Sequence, residues 1–205
     1  ITQKWYNVLA SVNYTEQVTS QLKRVHSIHY SSYKNKNDYS QETYDFNLLE
    51  NPLVEEKLQR GIRDIGLKTD WEYAFSNEHH LSFGWQNTFR QFLLGANNLI
   101  SKNYPNQSDI DTIVGNPNYQ TSIESSFYGE DKYFFSKDVT LDAGLRATIY
   151  SFDGYTKLVA EPRFHLTYFL QNNDVFKAAY NRHNQFVNQL NLGRSGSPDN
   201  IWVPA

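Results

Sequence analysis

The stretch Phe127–Phe186, FYGEDKYFFSKDVTLDAGLRATIYSFDGYTKLVAEPRFHLTYFLQNNDVFKAAYNRHNQF, decides the fold. Apolar and polar residues alternate through consecutive segments separated by short connections, the pattern of an antiparallel meander. Leu141, Ala143, Leu145, Ala147 and Ile149 share one parity, and Leu158, Ala160, Phe164, Leu166 and Tyr168 repeat it in the next segment. Successive strand side chains point to opposite faces, so these residues make one apolar face. Arg146 in Gly144-Leu145-Arg146 and Arg163 in Glu161-Pro162-Arg163 fall on the opposite, charged face of neighbouring strands.

The scheme extends in both directions. Ile65, Leu67, Thr69, Trp71, Tyr73 and Phe75 alternate with Gly66, Lys68, Asp70, Glu72 and Ala74. After the turn Ser76-Asn77-Glu78, Leu81, Phe83, Trp85 and Phe89 alternate with Ser82, Gly84, Gln86, Thr88 and Arg90, which predicts a hairpin. A strand over Thr121–Phe135 puts Ile123, Phe127, Tyr133 and Phe135 opposite Glu124, Glu130 and Lys132, and one over Val175–Phe186 puts Phe176, Ala178 and Tyr180 opposite Lys177, Asn181 and His183. Near the start, Tyr6, Val8, Ala10, Val12 and Tyr14 predict a strand, and a less regular one is expected over Thr19–Tyr33. The polar run Lys34–Gln41 reads as a loop, and Asn51-Pro52 as the start of a short helix, with Asn capping and Pro in the first turn. Gly95–Asn118 and Asn191–Ala205 are read as loops.

Composition leaves the solvent of the apolar face open. Aromatics make up 16% of 205 residues while mean hydropathy is negative, and no run of about 18 apolar residues predicts a membrane helix. Alternating strands cross lipid without such a run, because their two faces average out. A net charge of -3 without blocks of like charge argues against nucleic acid, and the absence of Cys removes disulfides and thiol nucleophiles. The chain starts at Ile1 without Met and is expected to be an internal piece of something longer.

Short turns at one edge, longer loops at the other and aromatics near strand ends are what an outer-membrane barrel requires. Lipid cannot satisfy a free strand edge, so a membrane sheet must close with its apolar face outward. The expected fold is all-β, a transmembrane antiparallel barrel with about eight strands in this chain. Two other architectures share the alternation: a complete small barrel with a structural or adhesive role, and a soluble β-protein with a ligand pocket. Pairing of the strand at Trp5 with that at Tyr180 would mark a closed small barrel.

The order Phe127-Tyr128-Gly129-Glu130-Asp131-Lys132-Tyr133, then Ser136-Lys137-Asp138-Val139-Thr140-Leu141-Asp142-Ala143-Gly144-Leu145-Arg146, resembles the strand, periplasmic turn and Gly-Leu-Arg strand of TonB-dependent outer-membrane receptors. Glu161-Pro162-Arg163 and Phe176-Lys177-Ala178-Ala179-Tyr180 continue the likeness. Leu81-Ser82-Phe83-Gly84 and Asn200-Ile201-Trp202-Val203-Pro204 resemble the branch common in Bacteroidota. The resemblance implies an outer-membrane barrel of about 22 strands, closed by a plug and importing a scarce nutrient with energy passed on by TonB. Residues 1–205 would form one segment of that barrel domain, without the plug. Implied partners are outer-membrane lipid, the rest of the barrel, its plug, TonB through the full-length receptor, and a surface lipoprotein.

The candidate site is a polar network on the charged face: Arg90, Glu124, Arg146, Glu161, Arg163 and His165. Arg146 and Arg163 are expected to pair with Asp142 and Glu161, since opposite charges on one face of adjacent strands attract. Trp71, Tyr73, Phe75, Tyr133 and Phe135 fit an aromatic girdle beside the short turns. No cofactor, metal or catalytic set is expected. His26 and His29 point to opposite strand faces, His79-His80 lies at a turn, His165 and His183 suit a polar network, and no serine has a nucleophile-elbow setting. Substrate contacts are expected from Lys34–Gln59, Gly95–Asn118 and Asn191–Ala205.

Overall fold

A computed structural model describes residues 2–42, 52–102, 109–112, 117–172, 174–191 and 200–204. The strands are β1 (Thr2–Gln17), β2 (Leu22–Glu42), β3 (Leu53–Ala74), β4 (His79–Lys102), β5 (Ile110–Thr112), β6 (Asn118–Phe134), β7 (Val139–Phe152), β8 (Tyr155–Phe169), β9 (Val175–Asn181), β10 (Val187–Asn191) and β11 (Asn200–Pro204). The main sheet is an antiparallel meander in the order β1-β2-β3-β4-β6-β7-β8-β9, with β5 paired to β4; β10 and β11 form a separate hairpin. Among the described residues β1 pairs only with β2 and β9 only with β8, so the strands at Trp5 and Tyr180 are the two ends of the sheet and do not pair with each other. No helix among the described residues is long and apolar enough to cross a membrane, which has no bearing on crossing by strands.

The short turns share one device. Oγ1 of Thr19, Oγ of Ser76 and Oγ of Ser136 each accept backbone N–H bonds from residues two and three further on, at 3.0–3.2 Å. Asn172 Oδ1 accepts from the Asp174 N–H at 3.4 Å. Side-chain oxygens thereby satisfy donors that would otherwise be orphaned where the ladder ends. At the opposite edge β7 and β8 are joined by Asp153-Gly154, whose φ values of 47° and 77° are those of a primed hairpin turn.

Register fixes the faces. Ile65, Phe89 and Ile123 form one cross-strand row, and Ile28 with Leu67 lies in the next. Leu145 sits opposite Pro162 and Ile149 opposite Leu158. These apolar side chains are exposed, Leu158 at 72% and Leu145 at 53%. The opposite face carries Arg90, Glu124, Arg146 and Glu161 and most of the buried polar residues.

Several sequence expectations are corrected. Lys34–Gln41 is strand, the continuation of β2, and its partner is Val54–Gly61, which takes in the segment where a helix was expected. Asn51 lies outside the described residues; Pro52 precedes β3, a position that requires no backbone donor. The helix signal was local, whereas each backbone group of Leu53–Gln59 gains a ladder partner on both sides. Gly95–Lys102 belongs to β4, and 110–112 forms β5 rather than loop. Val187–Asn191 and Asn200–Pro204 pair as a hairpin. β9 stops at Asn181, so His183 and Phe186 leave the sheet.

That departure creates the fold's only apolar cluster among the described buried residues. Phe186 stacks on Tyr150 with ring centroids 4.8 Å apart, beside Val159 and Phe152. Further along, β11 approaches β3 and β4, and Trp202 meets the Tyr33 ring edge-on at 6.3 Å. The segment after β9 thus returns across the charged face from β8 towards β2, near the edge that carries the long connections.

Candidate functional site

Five strands each supply one member of an alternating row of charge. Asp64 (β3) lies directly opposite Arg90 (β4) and accepts from its Nε at 2.9 Å. Arg90 Nη1 reaches Glu124 (β6) at 3.6 Å, Arg146 (β7) Nη2 meets Glu124 at 3.7 Å, and Arg146 Nε lies 3.6 Å from Glu161 (β8). Both arginines therefore bridge two carboxylates, with donors presented on two edges of one planar guanidinium.

Glu161 is the most buried member, at 5% exposure. Its Oε1 accepts the Asn184 backbone N–H at 2.6 Å and the Asn184 amide at 3.4 Å, and its Oε2 accepts from the Thr148 hydroxyl at 3.4 Å. Arg146 donates to Ser126 Oγ at 2.9 Å, and Ser126 and Thr148 hydroxyls share a 2.9 Å bond. A buried carboxylate is tolerable only when its lone pairs are used, and here they are.

Towards the short turns, Tyr128 donates to Asp70, which Lys68 also meets at 2.9 Å. The Lys68 ammonium and Arg146 guanidinium each lie 5.8 Å from the Tyr128 ring centroid, within cation–π range. Gly84 makes room for this contact: a Cβ there would lie 2.6 Å from the Tyr128 hydroxyl and closer still to the Thr69 carbonyl oxygen.

Arg90, Glu124, Arg146 and Glu161 are thus brought together. Arg163 and His165 are not. Arg163 lies opposite Gly144 and Asn181, and its buried Nε has no hydrogen-bond partner; His165 Nε2 bonds Asn181 Oδ1 at 2.9 Å. Asp142 sits opposite His165 and is not a partner of either arginine; Glu124 takes the place expected for it. His183 lies beyond the end of β9, outside the sheet that carries His165. Asp64, Ser126, Thr148, Tyr128 and Asn184 were absent from the sequence-based set. Asp64 was legible in principle, since it shares parity with Gly66 and Lys68 one residue before the alternation became obvious.

Along the short-turn edge the aromatics form a chain. Tyr73, Phe75, His79, Tyr133 and Phe135 follow one another with centroid separations of 4.4–6.5 Å, and His79 Nδ1 bonds Asp131 at 2.7 Å. Among the described residues no group of three His, Cys, Asp or Glu is placed to hold a metal.

The model of the TonB-dependent receptor-like β-barrel family matches residues 2–199. The chain belongs to that family. No match was found among curated proteins. This receptor barrel is part of an outer-membrane transporter and not an enzyme, and the family implies the rest of the barrel, a plug and TonB. In the outer membrane the exposed apolar face of the receptor barrel meets lipid, and its short turns face the periplasm. Strand length fits: β3, at 22 residues, spans about 73 Å, or about 50 Å along the membrane normal at a tilt near 45°, against an apolar band of about 25 Å. The receptor strands therefore project beyond lipid on the long-loop side, which is where Lys34–Gln41 and Leu53–Gln59 pair.

Proposed function

We propose that this chain is a wall segment of a larger receptor barrel that imports a scarce nutrient with energy delivered through TonB. The observation that carries this is the row Asp64–Arg90–Glu124–Arg146–Glu161 on the face away from lipid, in a sheet whose two ends stay unpaired. A hydrated polar wall opposite a lipid-facing wall suits a wide lumen. Unpaired edges cannot remain in hydrocarbon, so β1 and β9 would join further strands.

In this proposal residues 1–205 lie within one barrel domain, and the plug and TonB-contacting segment belong to other parts of the receptor. Arg90, Glu124, Arg146 and Glu161 shape the lumenal wall, with Arg163 and His165 beside it. Substrate contacts come from the extracellular ends of β2, β3 and β4, the connections from β2 to β3 and from β4 to β6, and the β10–β11 hairpin. The motifs Leu81-Ser82-Phe83-Gly84 and Asn200-Ile201-Trp202-Val203-Pro204 favour the Bacteroidota branch, with a surface lipoprotein as a further partner.

The test is uptake. A strain lacking the full-length receptor, with and without complementation, is given labelled siderophore, haem, glycan and peptide as limiting nutrient. Receptor-dependent accumulation that disappears on TonB deletion is expected for one class. Receptor-dependent accumulation that persists without TonB overturns the energised-import proposal.

A further inference from the structure

A second charged group lies on the opposite face, the one that meets lipid, and the ion-pair row does not use it. Lys4 on β1 is directly opposite Lys36 on β2; Lys34 is opposite Tyr6; and Arg63 on β3 is opposite Ser32. These positions share the parity of Val8, Tyr30 and Ile65, so they continue the lipid-facing surface towards the long-loop side. Like charges directly across a ladder destabilise it. Among the described residues none of the four forms an ion pair. Asp38, two residues beyond Lys36 on this face, lies opposite Lys57, whose own ion-pair partner is Glu55 at 3.5 Å. One carboxylate therefore stands beside four uncompensated cations.

Their level is informative. Tyr30 is the last apolar residue of the lipid face on β2, and Lys34 follows about 13 Å further along the strand, or roughly 9 Å along the membrane normal. Tyr6 is the last on β1, and Lys4 follows by one same-face step. The cations thus lie at the boundary between hydrocarbon and headgroups, within reach of flexible lysine side chains. An open groove of about 410 Å³ runs through this boundary, lined by Tyr6, Val8, Tyr30, Ser32, Lys34 and Lys36. Tyr6 and Val8 are more than half exposed. The groove has an aromatic and aliphatic part towards the bilayer, with a hydroxyl and two ammonium groups beyond it.

We propose that this groove holds the phosphorylated headgroup of a glycolipid of the outer leaflet, with its acyl chains against Tyr6, Val8 and Tyr30 and its phosphate between Lys34, Lys36 and Lys4. Arg63 approaches the same anion from the β3 side. Charge complementarity selects the phosphate, and the apolar continuation selects a lipid over a free anion. Occupancy also offsets the repulsion between Lys4 and Lys36.

The test uses the full-length receptor in nanodiscs of phosphatidylcholine doped with bisphosphorylated lipid A or with the same lipid after phosphatase treatment, and retained lipid is counted by native mass spectrometry. Wild type is expected to retain the phosphorylated form and release the dephosphorylated one. Lys34→Ala/Lys36→Ala is expected to weaken retention about 25-fold, at about fivefold per lysine. Lys34→Arg/Lys36→Arg should keep it. Equal retention of the two lipids by wild type, which needs no variant to fold, overturns the proposal. So does lipid A being displaced by millimolar inorganic phosphate as readily as by more lipid A, which would mark a simple anion site.

Discussion

Leu145 and Arg146 are chain neighbours on β7 with opposite surroundings, so substituting them in turn tests which face meets lipid. Leu145 lies seven residues beyond the turn residue Asp138, about 23 Å along the strand and about 16 Å along the normal, near the middle of a band about 25 Å tall. Leu145→Arg should therefore cost about 2–4 kcal/mol, the penalty of a cation on the lipid face close to the midplane. Arg146→Leu should also destabilise, for the opposite reason. It leaves Glu124 and Glu161, with side chains 18% and 6% exposed, without the cation between them. Removing one partner of a fully buried pair costs about 3–5 kcal/mol, and the 21% exposure of Arg146 places this case at the lower end. Both are measured by urea unfolding of the full-length receptor in lipid vesicles, followed by tryptophan fluorescence and heat-modified gel mobility. If Leu145→Arg unfolds at the same urea concentration as wild type, the face bearing Leu145 does not meet lipid and the argument fails.

Three further outcomes are expected. In a cycle of Arg146→Leu, Glu161→Leu and the double variant, the double variant should be less destabilised than the sum by about 1–3 kcal/mol; additivity within about 0.5 kcal/mol would show that the 3.6 Å pair carries no coupling. Gly84→Ala should destabilise by about 1–3 kcal/mol, because its Cβ would collide with the Thr69 carbonyl and the Tyr128 hydroxyl, and an unchanged unfolding midpoint would contradict that close approach. Phe186→Ala removes the ring stacked on Tyr150, worth about 3 kcal/mol for a largely buried phenylalanine, so amides at 183–191 should exchange about 100-fold faster while β7 and β8 keep their protection. Unchanged exchange there would show that the segment is held by other contacts.

The parts of this barrel that sequence rendered faithfully are those where one face is apolar. Between Ile65 and Phe89, and again between Phe127 and Tyr180, alternation fixed the face of each side chain, because a slip of one residue would move the whole apolar set to the wrong side. The segments misread as loop and helix, Lys34–Gln41 and Leu53–Gln59, lie beyond the apolar belt. Polar surroundings, headgroups or water, meet both faces there, so no alternation is required and the ladders of β3 with β2 and β4 hold these segments as strand. The same distinction applies within the charged row. Arg90, Glu124, Arg146 and Glu161 were picked by parity, while their order of pairing depends on how far each side chain reaches across the register, which placed Glu124 next to Arg146 and left Asp142 opposite His165.

Sequence by itself determined the all-β meander, its short turns and the outward face, since each depends on contacts within a strand or between chain neighbours. Only the tertiary structure decided which charges meet, that the chain after Asn181 turns back across the inner face to place Asn184 on Glu161 and Phe186 on Tyr150, and that Lys4 stands opposite Lys36. These contacts join residues separated by tens of positions along the chain, and no local periodicity encodes a partner at that distance.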